Sequence, residues 1–139
     1  MNNDCVKDWM TPCRVTIPSI CTLVEAYQLM MVHKMNRLPV VDQGELVGIV
    51  TLENLRRKLP DSLGFFSANP GSLYDDWIPV SHVMSRNPQT VQSDASLTQA
   101  AHLLLNTQTP ALPVMEGDQV VGIITERDIL RALLLEVKV

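Results

Sequence analysis

LPVVDQGELVGIVTLENL, at residues 38–55, recurs as LPVMEGDQVVGIITERDI at residues 112–129. The match extends without a gap from residues 6–59 to residues 80–133, a shift of 74 residues in which 16 of 54 positions are identical. Because a repeated unit of this size folds as one supersecondary motif, the repeat determines the architecture. It predicts a first copy at residues 1–59, a linker at residues 60–79 and a second copy at residues 80–139.

Each copy predicts the element order β-α-β-β-α. In the first copy these elements are an extended stretch at 14–18, a helix after the capping box at Thr22, two apolar runs at 38–41 and 46–50, and a helix after Thr51. The second copy repeats the order 74 residues later. A copy of about 55 residues buries little surface and is only marginally stable alone. We therefore expect an α/β protein of the α+β kind, with two repeats packed sheet to sheet in pseudo-two-fold symmetry.

The bulk composition favours a folded protein with an acidic excess. The chain has 139 residues, 46% hydrophobic and 19% charged, and a formal net charge of −4. Nucleic acid and anionic lipid surfaces attract a basic field, so the charge disfavours both as partners. No apolar run reaches the roughly 20 residues of a membrane span. The first ten residues also lack the basic and apolar regions of a secretion signal.

Cysteine, methionine and histidine give no pattern of a metal site. Cys5, Cys13 and Cys21 are odd in number and form no C-x-x-C pair, which predicts reduced thiols and a cytoplasmic protein. A zinc site from these cysteines with His33 is not expected, because paired short spacings are missing. We interpret the methionines as adaptable core filling and the histidines as surface or satisfied residues; these are Met10, Met30, Met31, Met35, Met84, Met115, His33, His82 and His102.

The linker is unusual in its aromatic content. Residues 60–79 contain three prolines and two glycines, which indicate a connecting segment. They also hold four of the six aromatic residues of the chain, Phe65, Phe66, Tyr74 and Trp77. These side chains either pack on the outside of the fold, or cover a ligand site or make a dimer contact.

A polar pattern recurs where the second strand of each hairpin passes into the last helix. Thr125-Glu-Arg-Asp128 and Thr51-Leu-Glu-Asn54 place a hydroxyl and a carboxylate or amide one turn apart. Free N–H groups and the dipole at a helix start suit a phosphate, and an ionised carboxylate can accept from two ribose hydroxyls. The same spacing also fits a helix cap that needs no ligand.

These motifs resemble a tandem pair of CBS (cystathionine-β-synthase-type) domains, called a Bateman module. The resemblance rests on LPVV with GIVT, on LPVM with GIIT, and on the openings Met10-Thr11 and Met84-Ser85, and it covers nearly the whole chain. It implies two clefts between the sheets, each mixing the two copies and binding an adenine nucleotide such as AMP, ADP or ATP. No catalytic cofactor or metal is expected.

Carried over residue by residue, the resemblance implies one strong site and one weak site. In the strong site Asp128 would hold the ribose, Thr125 the phosphate, and the backbone of residues 16–18 the adenine edge. Its residues are Thr11, Arg14, Thr16, Ile17, Pro18, Met35, Asn36, Arg37, Leu38, Pro39, Thr125, Arg127 and Asp128. The weak site lacks the carboxylate and any basic turn residue; its residues are Thr51, Asn54, Ser85, Thr90, Thr109, Pro110 and Ala111.

The leading hypothesis is a stand-alone regulatory sensor that responds to an adenine nucleotide and signals to an unknown effector protein. An enzyme is not expected, because no nucleophile–base–acid set is visible. The alternatives are a sensor of S-adenosyl-methionine or NAD, and an interaction module with degenerate clefts. The family resemblance also implies a homodimer formed through helix faces, for which the candidate residues are Leu55, Leu59, Ile129, Leu130 and Leu133.

Overall fold

The computed structural model describes residues 4–58, 78–107 and 109–137, and the side chains of the last helix as far as residue 135. Leu59 and the linker aromatics Phe65, Phe66, Tyr74 and Trp77 lie outside the described residues. In chain order the helices and strands are α1 Val6–Trp9, β1 Thr11–Pro12, α2 Leu23–His33, β2 Arg37–Asp42, β3 Glu45–Thr51, α3 Leu52–Lys58, a 3₁₀ turn Val80–His82, β4 Ser85–Arg86, β5 Val91–Gln92, α4 Leu97–Thr107, β6 Ala111–Glu116, β7 Gln119–Thr125 and α5 Glu126–Val137.

The chain divides into two compact units. One, here called the 15–87 unit, is Val15–Asn87; the other, the 88–139 unit, combines Pro88–Val139 with the opening segment Met1–Arg14. The 15–87 unit contains an antiparallel sheet in the order β2-β3-β4, and the 88–139 unit contains a mixed sheet in the order β1-β7-β6-β5. This mixture of helices with two sheets confirms the predicted α+β class.

Each unit has its own apolar core. In the 15–87 unit, Leu23 and Met30 of α2 pack with Leu38 of β2 and Leu55 of α3. In the 88–139 unit the core contains Val6, Leu97, Ala100, Leu112 and Ile124. The core positions of α2 and α4 recur at helical spacing, as the sequence predicted.

The predicted helix starts and hairpins are confirmed. Thr22 Oγ1 accepts the Glu25 N–H at 3.2 Å, and Glu25 Oε1 accepts the Thr22 N–H at 3.1 Å, so the capping box is complete. Ser96 Oγ accepts the Gln99 N–H at 3.1 Å at the start of α4. The two hairpins share one irregularity, a shift of register after Val40 and after Val114.

The extended stretch that precedes the first long helix of each repeat makes more backbone pairing in the second repeat than in the first. β5 runs parallel to β6, whereas the equivalent stretch of the first repeat forms only an isolated bridge between Ile17 and Val40. The Ser93 N–H continues the ladder by donating to the Met115 carbonyl at 2.9 Å. The Ser19 N–H donates instead to Asp42 Oδ1 at 2.9 Å, so a side chain replaces the backbone partner and the ladder ends.

The segment that opens each repeat pairs with the hairpin of the other repeat. In β1, Thr11 lies opposite Ile123 and Pro12 opposite Gly122; in β4, Ser85 lies opposite Ile49 and Arg86 opposite Gly48. A Cβ atom on Gly122 would lie 2.5 Å from Met10 Sδ and 2.8 Å from the Thr11 carbonyl oxygen. A Cβ on Gly48 would meet Met84 and Ser85 in the same way. The close approach of Met10-Thr11 to β7 and of Met84-Ser85 to β3 therefore requires glycine at positions 122 and 48.

Candidate functional site

Thr125 and Asp128 are hydrogen-bonded to each other at the junction where β7 passes directly into α5. Asp128 Oδ2 accepts the Thr125 N–H at 2.9 Å and the Thr125 hydroxyl at 3.1 Å. The Thr125 hydroxyl oxygen in turn accepts the Asp128 N–H at 3.2 Å. These two residues thus form a complete helix cap, in which the threonine hydroxyl proton is already donated to the carboxylate.

The second carboxylate oxygen of Asp128 also has a partner. Asp128 Oδ1 accepts from Arg131 Nη2 at 2.7 Å. Asp128 is 4% exposed, whereas the Arg131 side chain is 55% exposed. A buried carboxylate is costly unless it is bonded, and these three donors satisfy that requirement without a ligand.

Thr51 and Asn54 form the same cap in the first repeat without the charge. Asn54 Oδ1 accepts the Thr51 N–H at 2.9 Å, and the Thr51 hydroxyl oxygen accepts the Asn54 N–H at 3.0 Å. The amide therefore preserves the local fold. It presents an NH₂ donor where Asp128 presents a second acceptor oxygen.

The turn before β2 lies beside the start of α3, where Thr51 and Asn54 form the cap. The Asn36 carbonyl accepts the Leu52 N–H at 2.8 Å, and Arg37 lies opposite Thr51 in the hairpin. In the second repeat the Pro110 carbonyl accepts the Glu126 N–H at 3.3 Å, and Ala111 lies opposite Thr125. The turn that contains Arg37 therefore lies in the same unit as Asn54. The turn at Pro110 and Ala111, which has no basic residue, lies in the same unit as Asp128.

Arg37 carries an unsatisfied donor. Its Nη1 donates to Asn36 Oδ1 at 3.2 Å, while its Nε is buried and has no hydrogen-bond partner among the described residues. A buried donor without a partner costs free energy, so such an atom calls for an explanation. An anion accepting from Arg37 would provide one.

An open groove of about 610 Å³ lies within the 15–87 unit, between the extended stretch and the outer side of α2. Its volume is in the range of small-molecule sites, and its lining is mostly apolar. It includes the three residues predicted to face adenine. The lining residues are Thr16, Ile17, Pro18, Ile20, Cys21, Glu25, Gln28, Leu29 and Val32.

The other predicted site residues differ in exposure. Thr11, Arg14, Thr16, Pro18, Asn36 and Arg127 are exposed, as are Ser85 and Pro110 of the weaker site. The side chains of Ile17 and Leu38 belong to the core of the 15–87 unit, so only their backbone is available to a ligand. Pro39 and Ala111 are also buried, and Met35, Thr90 and Thr109 are partly buried.

The predicted residues divide between the units. The 88–139 unit holds Thr11, Arg14, Thr125, Arg127 and Asp128, together with Thr90, Thr109, Pro110 and Ala111. The 15–87 unit holds residues 16–18 and 35–39, together with Thr51, Asn54 and Ser85.

Two ionisable groups lie beside the groove and the hairpin. Burial raises the pKa of the Cys21 thiol to about 11, and the Glu25 carboxylate adds to this shift. Hydrogen bonds from the side chain and backbone of Ser19 lower the pKa of Asp42. At neutral pH the Cys21 thiol is therefore protonated and the Asp42 carboxylate is ionised.

Several predictions about other residues can be compared with the structure. Met30, Met84 and Met115 are buried, as expected of core filling, whereas Met31 is exposed on α2. The three histidines are exposed. Leu55 is completely buried, so it belongs to a core and is not available for a dimer contact. Within the described residues no group of His, Cys, Asp and Glu could hold a metal ion, and no helix is long and apolar enough to cross a bilayer.

Comparison with known proteins identifies the family. The CBS-domain family model matches residues 6–61 and 80–135, so the chain belongs to the CBS-domain family and carries a pair of these domains. It is similar to the CBS domain-containing protein YhcV of Bacillus subtilis (strain 168), with 31% identity over 89% of this chain and 81% of that protein. It spans only 47% and 22% of two further relatives, both from Methanocaldococcus jannaschii.

Solved structures of CBS domain pairs have the same fold. The pair from protein MJ0100, in complex with 5′-methylthioadenosine and S-adenosyl-L-methionine, matches with a TM-score of 0.74, 27% identity and coverage of 96% of this chain and 98% of that chain. CBSX2 in complex with AMP matches with a TM-score of 0.72, 28% identity and the same coverage. Both neighbours bind molecules that contain an adenosyl group.

Sequence reasoning missed Arg131 and the groove beside α2. The signal for Arg131 was present, because Arg57 and Arg131 are identical in the repeat and follow the Thr-x-x-Asn and Thr-x-x-Asp motifs by three residues. The groove had no comparable signal, since it depends on how the loop after residue 18 turns against α2.

Proposed function

We propose that this CBS domain pair is a regulatory sensor for a ligand with an adenosyl group, in first place an adenine nucleotide: AMP, ADP or ATP. The observation that carries the proposal is the bound adenosyl ligand in two neighbours that match 96% of this chain. S-adenosyl-methionine is the alternative ligand on the same ground. The chain acts by binding, and a change in its packing is read by an effector protein.

The ribose is assigned to Asp128 in this proposal. The carboxylate lies at the start of α5, where the helix dipole favours a phosphate nearby. Arg127, exposed next to it, supplies a positive charge for that phosphate.

The two helix starts are proposed to be unequal. Asn54 offers one acceptor oxygen and a donor, whereas Asp128 offers two charged oxygens. A hydrogen bond to a charged group contributes about 1.5–3 kcal/mol, roughly twice a neutral one. The strong site is therefore assigned to Asp128, and the site that uses Asn54 is weak or empty.

Calorimetric titration with AMP, ATP, S-adenosyl-methionine and 5′-methylthioadenosine tests the proposal. Asp128→Asn preserves the cap, as Asn54 does in the first repeat, and is expected to weaken binding by at least about tenfold. The matched control is Asn54→Gln, which is expected to leave the strong site unchanged. Absence of binding by the unaltered protein, or equal affinity in Asp128→Asn, would refute the assignment.

A second candidate function, self-association, is favoured by a different observation. On α5, Leu133 and Leu134 follow Leu130 by three and four residues. Leu130, Leu133 and Leu134 are 57%, 45% and 68% exposed. An exposed apolar stripe at helical spacing marks an interaction surface. We propose that two copies of the chain form a homodimer through this face.

Light scattering at micromolar concentration tests the homodimer. The double substitution Leu130→Arg with Leu134→Arg is expected to reduce a dimer to a monomer, because it buries two unpaired charges in the contact. Thr98→Arg, at an exposed polar position of α4, is the control and should leave the mass unchanged. A monomer for the unaltered chain would exclude the dimer.

We also propose a reducing compartment, the cytoplasm, for this protein. All three cysteines are free thiols, and two of them, Cys13 and Cys21, are buried. Free thiols persist where glutathione and thioredoxin keep them reduced.

A further inference from the structure

The acceptor capacity of Asp128 is almost exhausted by its own chain. An ionised carboxylate has roughly four lone-pair positions. Two of them, on Oδ2, receive the N–H and the hydroxyl of Thr125, at 2.9 and 3.1 Å. A third, on Oδ1, receives Arg131 Nη2 at 2.7 Å. One position is left for a ligand that offers two hydroxyl donors.

Arg131 is the partner that can leave. The Thr125 bonds form the helix cap, and losing them opens the start of α5. The Arg131 side chain is 55% exposed, so its guanidinium can turn into water and be hydrated there. A ribose diol that takes both hydroxyl contacts on Asp128 must displace the arginine from Oδ1.

The first repeat contains the same arginine with a different partner. Arg57 corresponds to Arg131, and its Nη2 lies 2.7 Å from Glu53 Oε1, one helical turn earlier. The second repeat has Arg127 in place of that glutamate. Because the acid four residues earlier is replaced by a like charge, Arg131 pairs with Asp128 three residues earlier.

We propose that Arg131 is a positioning residue that holds Asp128 in the ligand-free protein and competes with the ribose diol for its carboxylate. It lowers the affinity for ligands with both hydroxyls and leaves the affinity for ligands without them unaffected by competition. The protein therefore binds a ribose diol less tightly than it would if the Asp128 carboxylate had no arginine partner. This inference rests on the proposed binding of an adenosyl ligand at Asp128.

The experiment compares AMP with 2′,3′-dideoxy-AMP by calorimetry. The quantity of interest is the ratio of the dissociation constant of the dideoxy compound to that of AMP. Both compounds carry the same phosphate, so any effect of removing a positive charge cancels in the ratio. Arg131→Met is expected to raise this ratio about two- to fivefold, the equivalent of an exposed ion pair.

Arg57→Met is the matched control, and its ratio should equal that of the unaltered protein. Arg131→Lys, which retains the charge with a single donor group, is a second variant expected to give an intermediate ratio. An unchanged or lower ratio in both Arg131 variants, with AMP still bound, would overturn the role of Arg131 alone. Failure of the unaltered protein to bind AMP and the other adenosyl compounds would overturn the proposed function and this inference together.

Discussion

Asp128 and Asn54 occupy the same position in the two repeats, and each accepts the N–H of the threonine three residues earlier at 2.9 Å. Both the acid and the amide therefore cap the start of the helix in which they lie. They differ in charge and in what the second side-chain atom can do, since one is an acceptor and the other a donor. Any functional difference between the repeats at this position arises from that atom and not from the fold.

Both caps should contribute to stability, and Thr125 should contribute more than Thr51 because its hydroxyl also donates to the buried Asp128 carboxylate. Thr125→Ala and Thr51→Ala each remove a hydroxyl that accepts an N–H at the helix start, at a cost of at least about 1 kcal/mol of unfolding free energy. Urea denaturation monitored by circular dichroism measures this cost. Val24→Ala, at a partly buried position inside α2, serves as a control for loss of side-chain bulk. No loss of stability in either variant, or a larger loss in Thr51→Ala than in Thr125→Ala, would contradict this account of the caps.

Gly122 and Gly48 should resist substitution. A Cβ atom at Gly122 would lie 2.8 Å from the Thr11 carbonyl oxygen, which cannot move without separating β1 from β7. Gly122→Ala is expected to cost about 3 kcal/mol or more, the upper range for an overfilled contact. Thermal unfolding measures the loss.

Gly117→Ala is the control for these glycines. A Cβ at Gly117 would meet nothing within 4 Å, and only its φ of +61° makes alanine unfavourable, at about 1–2 kcal/mol. If the two alanine variants lost the same stability, close packing would not be the reason for Gly122.

Stability should fall in alkali because of Cys21. The folded thiol has a pKa of about 11, raised from 9.0. Between these values the unfolded chain loses its proton while the folded chain keeps it, so the unfolded state binds fewer protons and stability decreases as the pH rises. Urea denaturation at pH 8 and pH 10.5 measures the decrease.

Cys21→Ala should reduce that alkaline loss. The second repeat has Ala95 at the equivalent position, so the fold already accommodates this side chain. The other two cysteines are retained and contribute equally to both proteins. An identical decrease in the two proteins would show that Cys21 does not titrate as the structure requires.

Stability should fall in acid because of Asp42. Hydrogen bonds from Ser19 lower the folded pKa of this carboxyl, so its contribution is present above pH 3.8, the ordinary value, and is lost as the pH falls through the lower folded value. Asp42→Asn can still accept the Ser19 N–H but does not titrate. Its unfolding free energy should change less between pH 5 and pH 2.5 than that of the unaltered protein; an equal change would contradict this.

Much of the local structure was predictable because it depends on neighbouring residues. The caps at Thr22 and Ser96 and the hairpin strands follow from short patterns that the repeat shows twice. The pairing of β1 with β7 was not predictable in this way. Two residues, Thr11 and Pro12, pair with a strand more than 100 positions later, and no periodicity in so short a segment indicates its partner.

The cap formed by Thr125 and Asp128 was predictable from the sequence, whereas the further bond of Asp128 to Arg131 was not predicted. The Thr-x-x-Asp pattern identified Asp128, and the structure adds that both of its oxygens already have partners. Arg131 recurs as Arg57 in the first repeat, and the structure adds that its guanidinium donates to the Asp128 carboxylate.

The exchange of opening segments has a consequence for dissection of the chain. A fragment ending at residue 58 would carry β1 without β7, and it would leave β3 as an open edge, because β4 belongs to the later fragment. Unpaired edges associate with any available strand. The two halves should therefore be poorly soluble when expressed separately and should fold when mixed. A circular permutant that begins at Val15 and places residues 1–14 after residue 139 would instead make each compact unit continuous.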